Sequence, residues 1–233
     1  MRVAVFCETS GIVREAFRRR GHDAISIDLL PAQDGSPHHI VGDMFEVFDH
    51  LAAQGKTPDL AIFHPTCTYL TISAEWAYSD GPYHQKVKPG TLVGSARREA
   101  RDTAIADVVR IAKLPIRRKA IENPIGVLSS RFRKPDQVIQ PNWFGDDASK
   151  ATCLWLWELP LLVPTKRLRG RLVEWPRGSG KIVERWSNQT DGGQNKLPPS
   201  DDRWKLRSDT FPGIAEAFAD QWSGPIADLF AAA

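Results

Sequence analysis

The stretch that decides the fold is RVAVFCETSGIVREAFRRR, residues 2–20, where a short apolar run leads through small polar residues into a helical pattern. The run at 3–6 predicts a buried strand, and the segment from Gly11 to Arg20 predicts a helix. A strand that turns directly into a helix is typical of the βαβ unit.

The same alternation continues outward along the chain. Further strands are predicted at 24–27, 60–63, 119–121 and 152–156, and further helices at 43–53, 95–113 and 211–222. Strands and helices that alternate at this spacing favour an α/β fold with a mostly parallel sheet and helices on both faces.

Size and composition fit one such domain with a small addition. The chain has 233 residues, of which 42% are hydrophobic and 25% charged, as in ordinary globular proteins. No apolar stretch approaches the length of a membrane span, and the first residues do not resemble a signal peptide. The cysteines Cys7, Cys67 and Cys153 are too scattered for a disulfide framework. We therefore expect a cytoplasmic protein with no membrane contact.

The chain changes character after residue 159. Residues 160–205 are rich in Pro, Gly, Arg and Trp, which predicts a long loop or small subdomain with little regular structure. We expect a catalytic domain over 1–159, a small basic region over 160–205, and a segment over 206–233 whose helix returns to the first domain.

Polar residues with chemical potential follow four predicted strands. They are the turn at 7–11, Asp28, the segment HPTC at 64–67, and Glu122 with Asn123. Ligands of open α/β sheets bind at the carboxyl ends of the strands, so this edge is predicted to be the functional site.

The turn at 7–11, Asp28 and Asp43 together suit a nucleoside-bearing cofactor. Small residues at 7–11 would let backbone N–H groups approach an anionic group, although the turn lacks the GxGxxG pattern and could be an ordinary one capped by Thr9 or Ser10. Asp28 could accept hydrogen bonds from ribose hydroxyls. Asp43 could do similar work or simply cap a helix. S-adenosylmethionine, ATP and NAD remain open on these residues alone.

Cys67 and Glu122 are the candidates for catalysis. Cys67 could be a nucleophile, a metal ligand or a small buried apolar residue. A glutamate at a buried strand end needs a partner or a role. Glu122 could act as an acid beside Cys67, or pair with Arg117, Arg118 or Lys119. No Cys/His spacing predicts a zinc site, and we expect no metal.

Basic residues form three clusters that could contact phosphates or be solvated helix faces. An early cluster lies at 14–20, a middle one contains Arg97, Arg98 and Arg101, and a late one lies at 166–177.

In this order, the motifs resemble the DNA (cytosine-5)-methyltransferases, in particular their short phage and prophage versions. FCETSG at 6–11, Asp28 and GDM at 42–44 resemble the cofactor motifs. HPTC at 64–67 resembles the motif of the nucleophile, with Thr66 where proline is usual. IENP at 121–124 resembles the motif that binds the target base.

Two later segments extend the resemblance over nearly the whole chain. Residues 144–155 occupy the place of a Gln-x-Arg-x-Arg strand, with Lys150 and Thr152 at the arginine positions. TFPGIA at 210–215 resembles the last motif, whose helix packs beside the first.

The resemblance implies a Rossmann-like methyltransferase fold, S-adenosylmethionine as cofactor and methylation of carbon 5 of cytosine in flipped-out DNA. Cys67 would be the nucleophile and Glu122 the base-binding acid, while Asn123 and Lys150 would orient the loop or the target nucleotide. The cofactor-binding residues would be Cys7, Glu8, Thr9, Ser10, Gly11, Asp28, Leu29, Asp43, Met44 and Pro65.

The 160–205 region is the only room for target recognition, and its arginines are expected to contact DNA: Arg167, Arg169, Arg171, Arg177 and Arg185. The alternatives are the same chemistry on RNA or a free cytidine nucleotide, a catalytically weak DNA-binding decoy, and a generic nucleotide-binding Rossmann protein. We expect a monomer or weak dimer in a bacterial or phage-infected cell, with restriction evasion as one possible role.

Overall fold

A seven-stranded sheet forms the centre of the protein, seen in a computed structural model that describes residues 1–72, 74–84, 86–198 and 207–224. The strand order is β3-β2-β1-β4-β5-β7-β6. Strands β1 to β5 are mutually parallel, and β7 runs antiparallel to β5 and β6. The predicted Rossmann-like α/β fold with a mostly parallel sheet is confirmed. The strands are β1 Arg2–Phe6, β2 Asp23–Asp28, β3 His39–Val41, β4 Leu60–Phe63, β5 Arg118–Pro124, β6 Gln137–Ile139 and β7 Thr152–Trp157.

Helices cover both faces of the sheet because alternate residues of each buried strand point to opposite sides. Val3 and Val5 share one core with helices α1 and α5, whereas Ala4 and Phe6 share the other with α2 and α3. The helices are α1 Ile12–Arg18, α2 Met44–Ala53, α3 Gly94–Lys113, the short α4 Leu128–Arg131 and α5 Pro212–Gln221, with 3-10 turns at Glu75–Tyr78 and Pro141–Trp143.

The strand register brings the predicted functional segments to one edge. Phe6 pairs with Phe63, and Phe63 pairs with Ile121. The rings of Phe6 and Phe63 stack with centroids 4.6 Å apart. The chain therefore leaves β1, β4 and β5 at the same level, and the strand order reverses between β1 and β4, where ligands of such sheets bind.

Three elements differ from the sequence prediction. Strands β3 and β6 were not predicted, since each has only three residues and too short an apolar pattern. The 160–205 region was predicted to have little regular structure, and this is wrong for its centre. Strands β8 Arg171–Glu174 and β9 Ile182–Arg185 form an antiparallel hairpin there.

The C-terminal helix returns to the first helix, as predicted for the segment at 211–222. Ile214 and Phe218 of α5 lie in one core with Val13 and Phe17 of α1. Glu216 of α5 also pairs with arginines of the early basic cluster, Arg19 and Arg20.

The proposed domain bounds stay predictions, and the parts of them at 199–206 and 225–233 lie outside the described residues. Among the helices that the structure describes, none is long and apolar enough to cross a membrane.

Candidate active site

Cys67 and Glu122 lie at the carboxyl ends of the neighbouring strands β4 and β5. Cys67 is half-buried and follows β4 by four positions. Glu122 is 9% exposed and lies in the last half of β5. The two side chains are close enough for the charge of Glu122 to act on the Cys67 thiol and raise its pKa. The structure therefore brings together the two residues that the sequence singled out for catalysis.

Glu122 is held as a carboxylate by its neighbours. Burial raises its pKa, but this effect is outweighed by the hydrogen bond and charge of His64, the charge of Lys150 and the nearby hydroxyl of Thr152, so the net pKa lies below its usual value. His64 Nδ1 lies 2.8 Å from Glu122 Oε2. The predicted alternative, in which Arg117, Arg118 or Lys119 pairs with Glu122, is not what the structure has. Those three contact Glu158, the backbone oxygen of Trp222 and that of Leu114.

The Cys67 thiol has cations near it. Its pKa lies above the usual value, because burial and the charge of Glu122 raise it by more than the charges of Lys150 and Arg207 lower it. Lys150 Nζ also donates to the backbone oxygen of Arg207 at 2.9 Å. A thiolate is the reactive form of cysteine, and neighbouring cations favour it. Lys150 is thus placed to support nucleophilic chemistry at Cys67.

Asn123 fixes the loop between β4 and Cys67. Its Nδ2 donates to the backbone oxygen of Pro65 at 2.8 Å, and its side chain is buried. Pro65 was predicted to bind the cofactor, and here its carbonyl is used by Asn123. This bond positions the chain two residues before the nucleophile candidate.

The middle arginine cluster holds the loop that follows Cys67. Arg97 donates to the backbone oxygen of Thr68 at 3.3 Å, and Arg101 donates to that of Tyr69 at 2.9 Å. Arg98 donates to the backbone oxygen of Tyr78 at 2.6 Å. The sequence did not decide whether these side chains contact phosphates or form a solvated helix face. Their guanidinium groups instead bind protein carbonyls and fix the segment beside the nucleophile candidate.

In the turn that follows β1, the Glu8 carboxylate accepts hydrogen bonds from backbone N–H groups at the start of α1. Glu8 is 5% exposed and accepts from the backbone N–H groups of Val13 at 2.7 Å and Arg14 at 3.2 Å. These two amides are therefore occupied by Glu8, and the approach of an anionic ligand to the N–H groups of the turn at 7–11 stays a prediction. The predicted alternative was that Thr9 or Ser10 caps α1. It is incomplete, because Glu8 accepts from two of the helix amides.

Gly11 is required by the protein's own packing. Its φ is +72°, and a Cβ there would lie 2.2 Å from the Arg14 guanidinium. Arg14 is fully buried and pairs with Asp34 and Ser26. This arginine of the early cluster is therefore structural and does not belong to a phosphate-binding surface.

Thr9 connects the first turn to the C-terminal segment through Gln33. Gln33 Nε2 donates to Thr9 Oγ1 at 2.9 Å and to Asp209 Oδ1 at 3.5 Å. Ser10 Oγ lies 3.4 Å from Glu8 and 3.3 Å from the N–H of Ile12. Both residues support the turn.

Asp28 and Asp43 lie at the ends of the outer parallel strands, around Cys7. The pKa of Cys7 is raised to about 12, first by burial and then by the charges of Asp28, Asp43 and Asp107. Asp28 accepts from the N–H of Leu30 at 2.9 Å. Asp43 caps α2 by accepting from Phe45 at 2.9 Å and Glu46 at 3.2 Å, as its structural alternative predicted.

Apolar groups lie beside these acids. Leu29 is 70% exposed directly after Asp28, and Met44 Sδ lies 3.6 Å from Cys7 Sγ. Exposed apolar surface beside hydrogen-bond acceptors fits one face of a nucleoside and its ribose hydroxyls. The structure thus brings Cys7, Asp28, Leu29, Asp43 and Met44 to one patch, and it adds Asp107 of α3, which the sequence did not indicate.

A small pocket adjoins Glu122 and Lys150. Thr152 and the C-terminal residues Thr210, Phe211 and Ile214 complete its lining. Its volume, about 10 Å³, is close to what one water molecule needs. The C-terminal segment must therefore move if a nucleobase is to reach Glu122 from this side.

The hairpin arginines divide into two groups. Arg171 pairs with Asp191 and also donates to the backbone oxygen of Gln189. Arg185 donates to the backbone oxygen of Asp191 at 2.9 Å. These two bind their own loop, and the expectation that all five arginines contact DNA stays a prediction.

The other three hairpin arginines are exposed. Arg167 lies 3.9 Å from Glu184, and Arg169 lines an open groove with Leu172. Arg169 and Arg177 make no hydrogen bond or ion pair within the described ranges. Asn188 joins this region to the Lys150 segment through two bonds with Ser149, so the hairpin lies next to the candidate active site.

His64 is the main residue that sequence reasoning missed. It belongs to the segment HPTC, but its contact with Glu122 spans 58 positions. The only sequence signal was its place directly after a buried strand. Among the described residues, no group of three or more His, Cys, Asp or Glu side chains could hold a metal ion.

No protein family model and no curated protein matches the chain in sequence. One solved structure with a similar fold is a prophage-encoded protein of E. coli assigned as a DNA modification methyltransferase. It has 12% sequence identity and a TM-score of 0.45, and the match covers 72% of this chain and 52% of that one. This chain therefore spans about half the length of that protein. Similarity at this level concerns the course of the backbone and carries no information about activity.

Proposed function

We propose that the protein transfers a methyl group from S-adenosylmethionine to carbon 5 of cytosine in DNA, with Cys67 as the nucleophile. The observation that carries the proposal is the arrangement of Cys67 and Glu122 at the carboxyl ends of the adjacent parallel strands β4 and β5, with Lys150 just before the antiparallel strand β7, so that the charges of Glu122 and Lys150 act on the Cys67 thiol. A thiol beside a buried carboxylate and a cation suits covalent catalysis on an electron-poor ring.

The residue types match what this reaction requires. Carbon 5 of cytosine is a weak nucleophile until a thiolate adds to carbon 6. Lys150 favours the thiolate form of Cys67. Glu122 can hold the amino group and N3 of the ring, and Asn123 fixes the loop before Cys67 through the carbonyl of Pro65. After transfer, loss of the carbon 5 proton restores the double bond and expels Cys67.

The patch at the ends of β1, β2 and β3 fits S-adenosylmethionine, which supplies an activated methyl group when bound. Asp28 and Asp43 provide acceptors for ribose hydroxyls and the adenine amino group, and exposed Leu29 provides apolar surface. The amides of Val13 and Arg14 are occupied by Glu8, so the methionine carboxylate must be held elsewhere.

Duplex DNA as substrate is supported by the position of the hairpin. A base in a duplex must be flipped out before a thiolate can reach it. Arg167, Arg169 and Arg177 are exposed on a module that is bonded to the Lys150 segment. Exposed arginines next to the candidate active site can position the phosphate backbone. The hairpin is small, which favours short or relaxed sequence specificity.

The test is covalent trapping on a duplex that contains 5-fluorocytosine, with S-adenosylmethionine present. Fluorine cannot leave carbon 5 as a proton does, so the wild-type protein should form a stable adduct that maps to Cys67. Cys67→Ala should form none, and the matched control Cys153→Ala should form it as the wild type does. An adduct that survives Cys67→Ala would contradict the proposal.

Parallel reactions identify the substrate class. The same trap is offered as RNA and as free 5-fluorocytidine nucleotide. A duplex-specific adduct supports DNA methylation. An adduct that forms only with RNA or only with the nucleotide would show that DNA is not the substrate. No adduct with any of the three would favour the alternative of a catalytically weak DNA-binding decoy.

A further inference from the structure

The loop that follows β2 carries two adjacent leucines into solvent, next to one of the acids of the proposed cofactor site. Leu29 and Leu30 are 70% and 46% exposed and come directly after Asp28. Val41 is 57% exposed and pairs with Asp28 in the register of β2 and β3. Apolar side chains grouped beside a hydrogen-bond acceptor are typical of a ligand-binding surface.

His39, the first residue of β3, fixes the backbone of this loop. Its Nε2 lies 2.9 Å from the backbone oxygen of Leu30, and Nε2 is the donor because a carbonyl oxygen can only accept. The N–H of Leu30 donates to Asp28 Oδ1, also at 2.9 Å. Both backbone polar groups of Leu30 are therefore bonded, although the residue lies outside the strands.

A buried arginine holds the His39 ring and the far end of the loop. His39 Nδ1 lies 2.8 Å from Ser26 Oγ, and Arg14 Nη1 donates to the same oxygen at 2.7 Å. Arg14 also pairs with Asp34, four positions beyond Leu30. Arg14 and Ser26 are fully buried. A chain of hydrogen bonds thus runs from α1 through β2 and β3 to the loop, which is held near both of its ends.

These bonds fix side chains that the folded core does not use. Among the residues that the structure describes, neither Leu29 nor Leu30 belongs to one of the two hydrophobic cores. Holding an apolar side chain in water removes no apolar surface from solvent and so adds nothing to the hydrophobic driving force of folding. A surface already held in its bound shape does bind a ligand more tightly, because less freedom is lost on binding.

We propose that His39 is a positioning residue for S-adenosylmethionine, which acts through the carbonyl of Leu30 to present Leu29 and Leu30 as a preformed apolar face for the nucleoside. The inference rests on the proposed function. Arg14 and Ser26 hold the His39 ring in place, and the carboxylate of Asp28 stays beside the two leucines as an acceptor for ribose hydroxyls.

The expected consequence is confined to cofactor affinity. In the sheet, β3 lies three strands away from β4, which leads to Cys67. Neighbouring strands are about 4.8 Å apart, so His39 is too far from the thiol to act on the chemical step. A loss of His39 should therefore raise KM for the cofactor and leave kcat unchanged.

The test is calorimetric titration of the free protein with S-adenosylhomocysteine, the demethylated cofactor, which binds without reacting. The matched variants are His39→Gln, whose amide reaches the Nε2 position and can still donate to Leu30, and His39→Asn, whose shorter amide reaches only the Nδ1 position. We expect binding about tenfold weaker in His39→Asn and within about twofold of wild type in His39→Gln. Equal affinities in both variants, whether weakened or not, would overturn the inference.

The control is His38→Asn, the same substitution at the preceding residue. The His38 side chain has no hydrogen bond or ion pair in the part of the chain that the structure describes, so this variant should bind as the wild type does. A loss as large as that of His39→Asn would show that the bond to Leu30 is not the cause, and would also overturn the inference.

A double-mutant cycle separates positioning of the leucines from a general effect on the fold. His39→Asn should weaken binding far less in protein that already carries Leu29→Ala and Leu30→Ala, because the face that His39 positions is then absent. Losses that simply add would mean that His39 does not act through the leucines.

Hydrogen exchange of the Leu30 amide gives a measurement on the free protein. Exchange should be faster than wild type in His39→Asn and unchanged in His39→Gln, since only the first releases the loop. Unchanged exchange in His39→Asn would overturn the inference and leave the proposed function intact. Cofactor binding as expected, with no adduct on the 5-fluorocytosine duplex, would overturn the proposed function alone. Absence of binding by the wild type would overturn both.

Discussion

The two halves of the sheet edge hold their functional side chains in different ways. At the ends of β4 and β5, side chains bond to one another or to a distant backbone group, as His64 does to Glu122 and Asn123 to Pro65. At the ends of β2 and β3, the side chains of Asp28 and Asp43 accept, within the part of the chain that the structure describes, only from backbone N–H groups at most three positions away. Leu29 beside them is 70% exposed.

The difference fits a division of labour. A reacting group must be held in one geometry before the substrate arrives, whereas a cofactor that exchanges after each turnover needs open surface. Each of the following predictions tests whether chemistry belongs to the first half and binding to the second.

Removing the thiol should have the largest effect. Cys67→Ala is expected to lower the methylation rate by at least about a thousandfold, because a covalent route cannot proceed without its nucleophile. The measurement is transfer of labelled methyl to duplex DNA. Cys153→Ala is the control, since burial raises the pKa of that thiol to about 11 and keeps it inert. Equal losses in both variants would mean that the effect is structural.

Removing the cation next to the thiol should have a smaller and pH-dependent effect. Burial raises the pKa of Cys67 and the charge of Lys150 lowers it, so Lys150→Gln should raise it further. Fewer molecules then carry the thiolate, and the rate near neutral pH should fall on the order of tenfold. Because the thiolate fraction grows with pH, the deficit should shrink as pH rises.

The control for this variant is Lys150→Arg, which keeps the charge and should stay close to wild type at every pH. A deficit of Lys150→Gln that is constant across pH would show that Lys150 does not act on the Cys67 thiol.

A substitution at the ends of β2 and β3 should weaken cofactor binding and leave the rate of the chemical step unchanged. Asp28→Asn is expected to weaken binding of S-adenosylmethionine by about fivefold through the loss of a charged acceptor, with kcat unchanged. Calorimetric titration measures the affinity. Asp49→Asn makes the same change of charge at an exposed position of α2 and should have no effect. A loss in kcat with unchanged affinity would place Asp28 in the chemistry.

The smallest effect is expected at the hairpin. Arg169→Gln and Arg177→Gln should each weaken duplex binding a few-fold and reduce the slope of log affinity against log salt by ~0.9. Arg171→Gln is the matched contrast, because Arg171 is engaged with Asp191 and should mainly loosen the hairpin. Binding isotherms at several salt concentrations measure this. Identical salt slopes in all three variants would contradict the division of the arginines.

Much of the fold could be predicted from local patterns. Strands could be predicted from the continuous apolar runs at 3–6 and 60–63. A helix could be predicted from the long pattern at 95–113. The reversed direction of β7 could not be predicted, because composition does not encode strand direction. The hairpin strands β8 and β9 were missed because glycine, proline and arginine around them hide a four-residue alternation.

The sequence predicted which residues form the candidate site better than it predicted the contacts that they make. The ends of predicted strands identified Cys67, Glu122, Asn123 and Asp28, the start of a predicted helix identified Asp43, and the structure brings them to one edge. The bond of His64 to Glu122 and the capping of α1 by Glu8 could not be predicted, because each depends on how distant or turned segments meet. From the sequence alone, the arginines of α3 could not be distinguished from a solvated charged surface, because their backbone carbonyl partners lie in a distant loop.

The most direct test of the central claim is the chemical identity of the methylated product. Duplex DNA is incubated with the protein and isotope-labelled S-adenosylmethionine, digested to nucleosides and analysed by mass spectrometry. We expect label in 5-methyldeoxycytidine with wild-type protein and none with Cys67→Ala. Label on the exocyclic nitrogen of cytosine or adenine, or label that persists in Cys67→Ala, would contradict it.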